Sequence, residues 1–357
     1  MKKTFSPHFQ PSAHLYRLLE DISAHKERIQ NSLVKVPWVP SLVVDARARL
    51  AWGSTAIEGC TLSLEAVQGL LEGKEAIGYP DRHVKMAQNY LKALAWIQKR
   101  DKVTNMSESD IFKLHKIIAH EAVDEGHIGA YRKESVSAGL HVAPRWQDVK
   151  GLMHALLEWL NGPAKAFPAV FSSSILHLRF VEIHPFRDGN GRVARALAVW
   201  ELYRKGFDNL HVFALDEVLL ENRALYIKAL QRVQIEGADL GGWLEFMAEA
   251  VLETLRRVEQ RIISIGPIAM KPIALTVRQE KLLRVLREKG SMSIGEIAKT
   301  LKITAPGSHH VMKPLLKHGL ISRIGAHRAT RYVLSSSVHK GASAGISIDE
   351  KAEYFRP

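Results

Sequence analysis

Residues 184–195 read HPFRDGNGRVAR. They lie between AVFSSSILHLRFVEI (169–183) and VARALAVWELYRKG (193–206), two segments whose apolar residues recur at helical spacing. A link this polar between two apolar helices is not there for packing. His184 closes the first helix, and Pro185 after it disfavours continuation. Gly189, Asn190 and Gly191 lead into a second helix expected to begin near Arg192. Glycines before a helix N-terminus let the backbone approach a ligand, and the unpaired N–H groups there attract anions. Arg192 and Arg195, at i and i+3, share one face and can fork onto phosphate oxygens. Asp188 is the kind of acid that holds Mg²⁺ beside a polyphosphate, because that ion takes one or two carboxylates plus phosphate oxygens. His184 is then free to serve as a general base.

Other readings of the stretch fit less well. An EF-hand starting at Asp188 would need an acid and a glycine where Arg192 and Val193 stand, and a glutamate where Val199 stands. A Walker loop needs a glycine–lysine–serine or –threonine ending that is absent. A solvated loop with a satisfied histidine explains one residue and leaves the rest of the constellation unused.

The stretch resembles the signature of the Fic family, H-x-F-x-[D/E]-G-N-G-R-x-x-R, with every defined position filled. The resemblance extends to GAYRKESV and HVAPRWQDV within 129–149, similar to that family's target-clamping hairpin. It also takes in NRALYIKAL (222–230), similar to its adenine-side helix, and covers roughly residues 40–250. It implies a helical core that moves AMP from ATP onto a hydroxyl side chain of another protein. On that likeness His184 takes the proton of the attacking hydroxyl and Phe186 anchors the loop. Asp188 holds Mg²⁺, Gly189, Asn190 and Gly191 form the anion cradle, Arg192 contacts phosphate and Arg195 the γ-phosphate. Val136, Ser137, Ala138 and Gly139 align with the flap edge, and Tyr226 and Gln234 with adenine contacts. Ala143–Pro144 stands where relatives often carry two prolines.

STAIEGC (54–60) places Ser54 and Glu58 at i and i+4, followed by Gly59. Alone it reads as a helix end with a glycine cap and a surface glutamate. Beside a Fic-like core it resembles the family's inhibitory helix, [S/T]-x-x-x-E-[G/N], in which the glutamate pairs with the motif's second arginine. That likeness implies self-inhibition by Glu58, with Ser54 beside it, from a helix at about 41–59.

The 357-residue chain has a net charge of +13, with the excess concentrated near its end. Residues 276–334 hold twelve Lys/Arg against three acids, Glu280, Glu288 and Glu296. Such a segment points to a polyanion partner. Its pattern is helix, helix, helix, then an extended pair with a turn near Gly325–Ala326, which reads as a winged helix-turn-helix. The third helix is expected to carry Ser308, His309, His310 and Lys313 towards a duplex DNA groove, with Arg328 and Arg331 near phosphates; docking of a protein or dimerisation is the other use such a unit has. The single cysteine, Cys60, excludes an internal disulfide and reads as a buried inert thiol. No apolar stretch approaches the ~20 residues of a spanning helix, and MKKTFSPHFQ lacks the apolar run of a secretory signal. A cytoplasmic protein with no membrane partner is expected, and a homodimer is a candidate assembly.

The fold expected is mainly α. An N-terminal helical region covers 1–105, the core 106–263, a linker 264–275, the winged helix 276–335 and a loose tail 336–357. Pro37 and Pro40 are expected to break the first helices apart, and one helix is expected over 216–235. The function expected is ATP-dependent AMP transfer to Tyr, Thr or Ser of a target protein. Its rivals are a DNA-binding regulator that senses nucleotide through the core, and an enzyme that removes AMP, with Glu58 orienting a water.

Overall fold

The computed structural model describes residues 5–33, 39–123, 128–237, 239–265, 276–317, 320–325 and 330–334. They divide into two compact units, 1–262 and 263–357. In the first, α1 (Ala13–Leu33), α2 (Val39–Ile57), α3 (Leu64–Leu71), α4 (Asp81–Gln98) and α5 (Glu108–Ala119) precede a hairpin of β1 (Ser137–Ala138) and β2 (His141–Val142). Then come α6 (Trp146–Asn161), α7 (Ala169–Ile183), α8 (Asn190–Arg204), α9 (Leu215–Glu221), α10 (Arg223–Gln234) and α11 (Gly241–Ile265).

The two helices flanking the motif form the centre. α8 is buried from Arg192 through Tyr203, and α7 along nearly its whole length. A helix apolar on all sides must be surrounded by others, and α2, α4, α5 and α6 pack on this pair. α5 starts at a capping box in which Ser107 and Asp110 satisfy each other's backbone N–H.

α2 brings the inhibitory-helix candidate against the core by a close approach. A Cβ on Gly53 would lie 2.4 Å from the carbonyl carbon and oxygen of Asp216, so only glycine lets α2 lie on α9 there. α2 ends in a Schellman turn. Gly59, at φ 90°, donates to the Ala56 carbonyl, and Cys60 N–H donates to that of Thr55. Glu58 is the residue held at this end.

Several boundaries differ from the expectation. Pro40 does not break the chain; it sits in the first turn of α2, where its missing N–H has no helical partner to lose. Pro37 falls outside the described residues. The helix expected over 216–235 is two, interrupted at Asn222. The linker's first residues, Ser264 and Ile265, still belong to α11, and the rest of 264–275 and the tail 336–357 lie outside the described residues. Cys60 is buried, its Sγ 3.6 Å from the His83 carbonyl.

The second unit runs α12 (Val277–Lys289), β3 (Ser291–Met292), α13 (Ile294–Leu301), α14 (Ala305–Lys317), β4 (Ile321–Ile324) and β5 (Arg331–Leu334). The strands form an antiparallel sheet in the order β3-β5-β4. β3 was not foreseen, since two residues carry too little alternation to show. The unit has its own core, centred on Leu282, Leu286, Ile297, Met312, Leu315 and Tyr332. Ser308 is fully buried and donates to the Thr304 carbonyl, so it does not face a groove; its small side chain fits under α14. His309, His310 and Lys313 are exposed. Arg331 donates to Ser291 and Glu296, which ties β5 to β3 and α13 and leaves its side chain 43% exposed. Ala326 and Arg328 lie outside the described residues.

Candidate functional site

The junction of α7 and α8 is built by backbone commitments. His184 caps α7 in the left-handed region at φ 50°, which no glycine relieves. Phe186 is fully buried, stacked on the His115 imidazole with centroids 3.7 Å apart. Asn190 is buried too, and its amide both accepts from the Phe186 N–H and donates to the Phe186 carbonyl. Asn190 therefore closes the loop upon itself with its side chain, while the cradle expected of residues 189–191 concerns their backbone N–H groups. α8 starts two residues earlier than expected, at Asn190, because Gly189 at φ 82° makes the turn.

Two residues that sequence reasoning missed hold this loop from outside. Arg132, buried, donates to the carbonyls of His184 at 2.8 Å, Glu134 at 2.8 Å and Pro144 at 2.5 Å, and its own N–H donates to Pro185. One guanidinium thus ties the hairpin to the motif. His115 accepts from the Gly129 N–H at Nδ1, which leaves Nε2–H to donate to the Asp188 carbonyl at 3.1 Å. The Arg132 of GAYR was within the quoted stretch, but nothing in its spacing marked it. A lone histidine on an apolar helix such as α5 gave no signal.

The hairpin itself uses the departure at 143. Ala143 N–H donates to the Val136 carbonyl at 3.2 Å, a bond a proline there lacks. Gly139 turns at φ 61° between Ser137–Ala138 and His141, whose ring lies on the Glu182 carbonyl at 2.9 Å. These contacts set the flap beside His184.

His184 is partly buried, with Nδ1 3.3 Å from the Val181 carbonyl. If Nδ1 carries the proton for that bond, Nε2 presents its lone pair. Burial lowers the His184 pKa to about 4, and burial lowers that of His115 likewise to about 4. Asp188 lies across the turn with its side chain 43% exposed, near Arg192 at 3.6 Å and Arg82 at 3.8 Å.

Arg192 is buried, and its Nε and Nη1 have no hydrogen-bond partner. Burial depresses its pKa, which is the mark of a cation short of compensation. Arg195 is the opposite case. Its Nε donates to Ser54 Oγ at 2.8 Å, and its Nη2 donates to the Ser54 carbonyl at 2.9 Å and to Glu58 Oε1 at 2.6 Å. Burial alone would lower its pKa, but Glu58, Tyr226, Asp216 and Tyr90 more than offset that and raise it. Burial likewise raises the Glu58 carboxyl, yet the charge and hydrogen bond of Arg195, with Arg192 and Arg223 adding, leave it below its usual value.

Glu58 also lies over the start of α8. A Cβ on Gly191 would fall 2.4 Å from Glu58 Oε1, so the glycine is what lets a carboxylate occupy the positive end of that helix. Behind Arg195, Tyr226 is buried with its hydroxyl 3.1 Å from His177 Nε2. Asp216, raised to about 6 by burial, accepts from the Tyr90 hydroxyl at 2.8 Å. Tyr90 and Asp216 were not foreseen. Gln234 lies two turns beyond Tyr226 on α10, about 12 Å along the axis, with its Nε2 buried and unpartnered. The structure thus gathers His184, Asp188, Gly189, Gly191, Arg192, Arg195, Ser54, Glu58 and Tyr226, and leaves Gln234 apart from that cluster.

Comparison with known proteins adds three findings. Residues 105–202 match the model of the Fic/DOC family. The protein adenylyltransferase Fic of Aedes aegypti is 32% identical over 211 residues, spanning 57% of this chain and 40% of that one. The protein of the same name from Drosophila willistoni is 30% identical, over 57% and 39%. The chain thus spans about 40% of the length of these curated relatives. A Fic family protein from Desulfovibrio desulfuricans superimposes with a TM-score of 0.63 at 24% identity, over 93% of this chain and 99% of that one. Fic-1 from C. elegans gives 0.58 at 22%, over 71% and 74%. Likeness at this level of identity shows a shared fold.

An ordinary imidazole gains its proton as pH falls through about 6.5. His184 and His115 should stay neutral until about pH 4. Their folded pKa values are depressed, so acidification from about 6.5 to 4 favours the unfolded chain. A pH titration of the histidine ring resonances checks this. Two midpoints near 4 are expected, and midpoints near 6.5 would mean water reaches both rings freely.

Proposed function

We propose, for a chain whose residues 105–202 match the model of the Fic/DOC family, that it transfers AMP from ATP to a Tyr, Thr or Ser hydroxyl of a target protein and that Glu58 restrains the transfer. One observation carries this reading. A buried arginine with two unpaired donors, Arg192, sits beside a glycine turn and a helix N-terminus already occupied by a carboxylate. A buried cation left short of partners is a place for an anion, and a polyphosphate supplies one.

The residues fit that ligand. The first-turn amides of α8 and Arg192 bind and orient the phosphates, holding the α-phosphorus in line with the attacking oxygen. His184 Nε2 accepts the proton of the target hydroxyl as its oxygen bonds to the α-phosphorus. The bond to the β-phosphate oxygen breaks and pyrophosphate leaves. Val136 to Gly139 offer the hairpin edge against which an extended target segment lies, and Tyr226 and Gln234 mark the adenine side. A single half-exposed carboxylate, Asp188, suits Mg²⁺ carried in by the nucleotide, and no cluster of three potential ligands occurs among the described residues. Such an ion would neutralise charge developing on the phosphate oxygens.

Restraint follows from competition. The fork of Arg195 can serve a carboxylate or a γ-phosphate, not both fully. With Glu58 on it, the nucleotide binds with its γ-phosphate displaced and its α-phosphate turned from in-line attack. Removing AMP with a water oriented by Glu58 is the narrower alternative on the same residues. The exposed His309, His310 and Lys313 on α14, beside an antiparallel sheet, support a second role as a winged helix that binds duplex DNA.

Glu58→Gly should raise the rate of AMP incorporation on the order of 100-fold, the cost of a ~1 Å misplacement, with little change in ATP affinity. Adding His184→Ala should then remove activity by a factor of roughly 10²–10⁴ while ATP still binds. Labelled-ATP incorporation into the chain itself and into a host lysate, beside calorimetric ATP titration, tests both. An unaccelerated Glu58→Gly leaves Glu58 a structural partner of Arg195 only, and full activity without His184 removes the base.

For the second unit, duplex binding should weaken with salt at a log–log slope of roughly −0.9 per phosphate contacted. Absence of binding at low salt would assign that unit to protein contacts instead.

A further inference from the structure

The restraint proposed above depends on where the Glu58 carboxylate is held, and Glu58 lies at a helix end, where chains fray. The backbone there is unusually well fixed. The peptide group joining Ile57 to Glu58 is bound at both poles. Its N–H donates to the Thr55 carbonyl at 3.1 Å, and its carbonyl accepts from Arg223 Nε at 3.0 Å. The next peptide is held as well, by Gly59 N–H on the Ala56 carbonyl at 3.0 Å, and with the planes on both sides of Cα fixed, so is the direction in which the Glu58 side chain leaves the backbone.

Arg223 comes from a different element. It is the first residue of α10, so the C-terminus of α2 is capped from outside its own sequence by a cation. Arg223 also lowers the Glu58 carboxyl. The nearest acid in sequence, Glu221, is paired in a fork with Arg257 at 2.8 and 2.6 Å. One turn further along, α10 carries Tyr226, which helps hold Arg195. The same helix therefore acts on both halves of the Arg195–Glu58 pair, through the Ile57 carbonyl on one side and the charge distribution of Tyr226 on the other.

We infer that Arg223 is a positioning residue for the restraint: it aims Glu58 at Arg195 and makes α10 the element that holds the lock shut. This rests on Glu58 being restraining. It assigns Arg223 no contact with nucleotide or target.

Four variants of the full chain, Arg223→Ala, Arg223→Lys, Glu58→Gly and Glu58→Gly/Arg223→Ala, separate the two ideas. The readout is self-incorporation from α-labelled ATP with Mg²⁺, with ATP affinity measured alongside. A hydrogen bond from a charged donor predicts acceleration on the order of tenfold for Arg223→Ala, carried by turnover rather than by affinity. Arg223→Lys keeps a cationic donor and should fall between that variant and the parent. In the Glu58→Gly background the loss of Arg223 should change nothing, since no carboxylate remains to aim. A fast Glu58→Gly with an unaccelerated Arg223→Ala overturns the inference and leaves the restraint standing. So does equal acceleration by Arg223→Ala with and without Glu58. A Glu58→Gly no faster than the parent overturns both.

Discussion

Arg195 carries a full charge with almost none of its side chain in water, and much of the first unit can be understood as compensation for that. A buried guanidinium costs several kcal/mol unless each donor finds a partner. The partners come from four helices. α2 supplies Ser54 through its hydroxyl and carbonyl, and Glu58 through its carboxylate. Asp216 on α9, Tyr226 on α10 and Tyr90 on α4 add favourable charge and dipole around it. Asp216 is held by Tyr90, and the backbone at Asp216 is what Gly53 of α2 rests on. The packing that places α2 and the electrostatics that need it are one arrangement.

That arrangement has an asymmetry with consequences. Ser54 binds Arg195 through groups that stay when Glu58 is gone, so removing the carboxylate does not orphan the cation. The Glu58 contact is thus the exchangeable one, with its side chain 37% exposed while that of Arg195 is 1% exposed. Arg192, three residues earlier, has the reverse character: buried, and short of partners. One arginine is satisfied and the other is short of partners, and the proposed binding and restraint of a polyphosphate rest on that difference.

The helical class, the α7–α8 junction, the hairpin and the helix end at Glu58 were legible in the sequence because each rests on local chemistry: apolar periodicity, glycine turns, a capping box, a glycine at C′. The family likeness supplied the Glu58–Arg195 pairing, which a sequence separation of 137 would otherwise hide. What stayed hidden was whatever depends on a third element. Arg132 and His115 hold the loop from other segments. Ser308 carries a polar side chain that the fold buries, and Arg331 a charge paired with Glu296 of α13. Residue type announces capacity; only packing decides which capacity is used.

The central claim is that one guanidinium is contested by Glu58 and by the nucleotide's terminal phosphate. A crystal structure of the chain with a non-hydrolysable ATP analogue and Mg²⁺ tests it most directly, solved for the parent and for Glu58→Gly. Arg195 should stay on Glu58 in the parent, with Arg192 on the phosphates, and move onto the γ-phosphate once Glu58 is removed. A parent complex in which Arg195 binds the γ-phosphate while Glu58 keeps its place would contradict it.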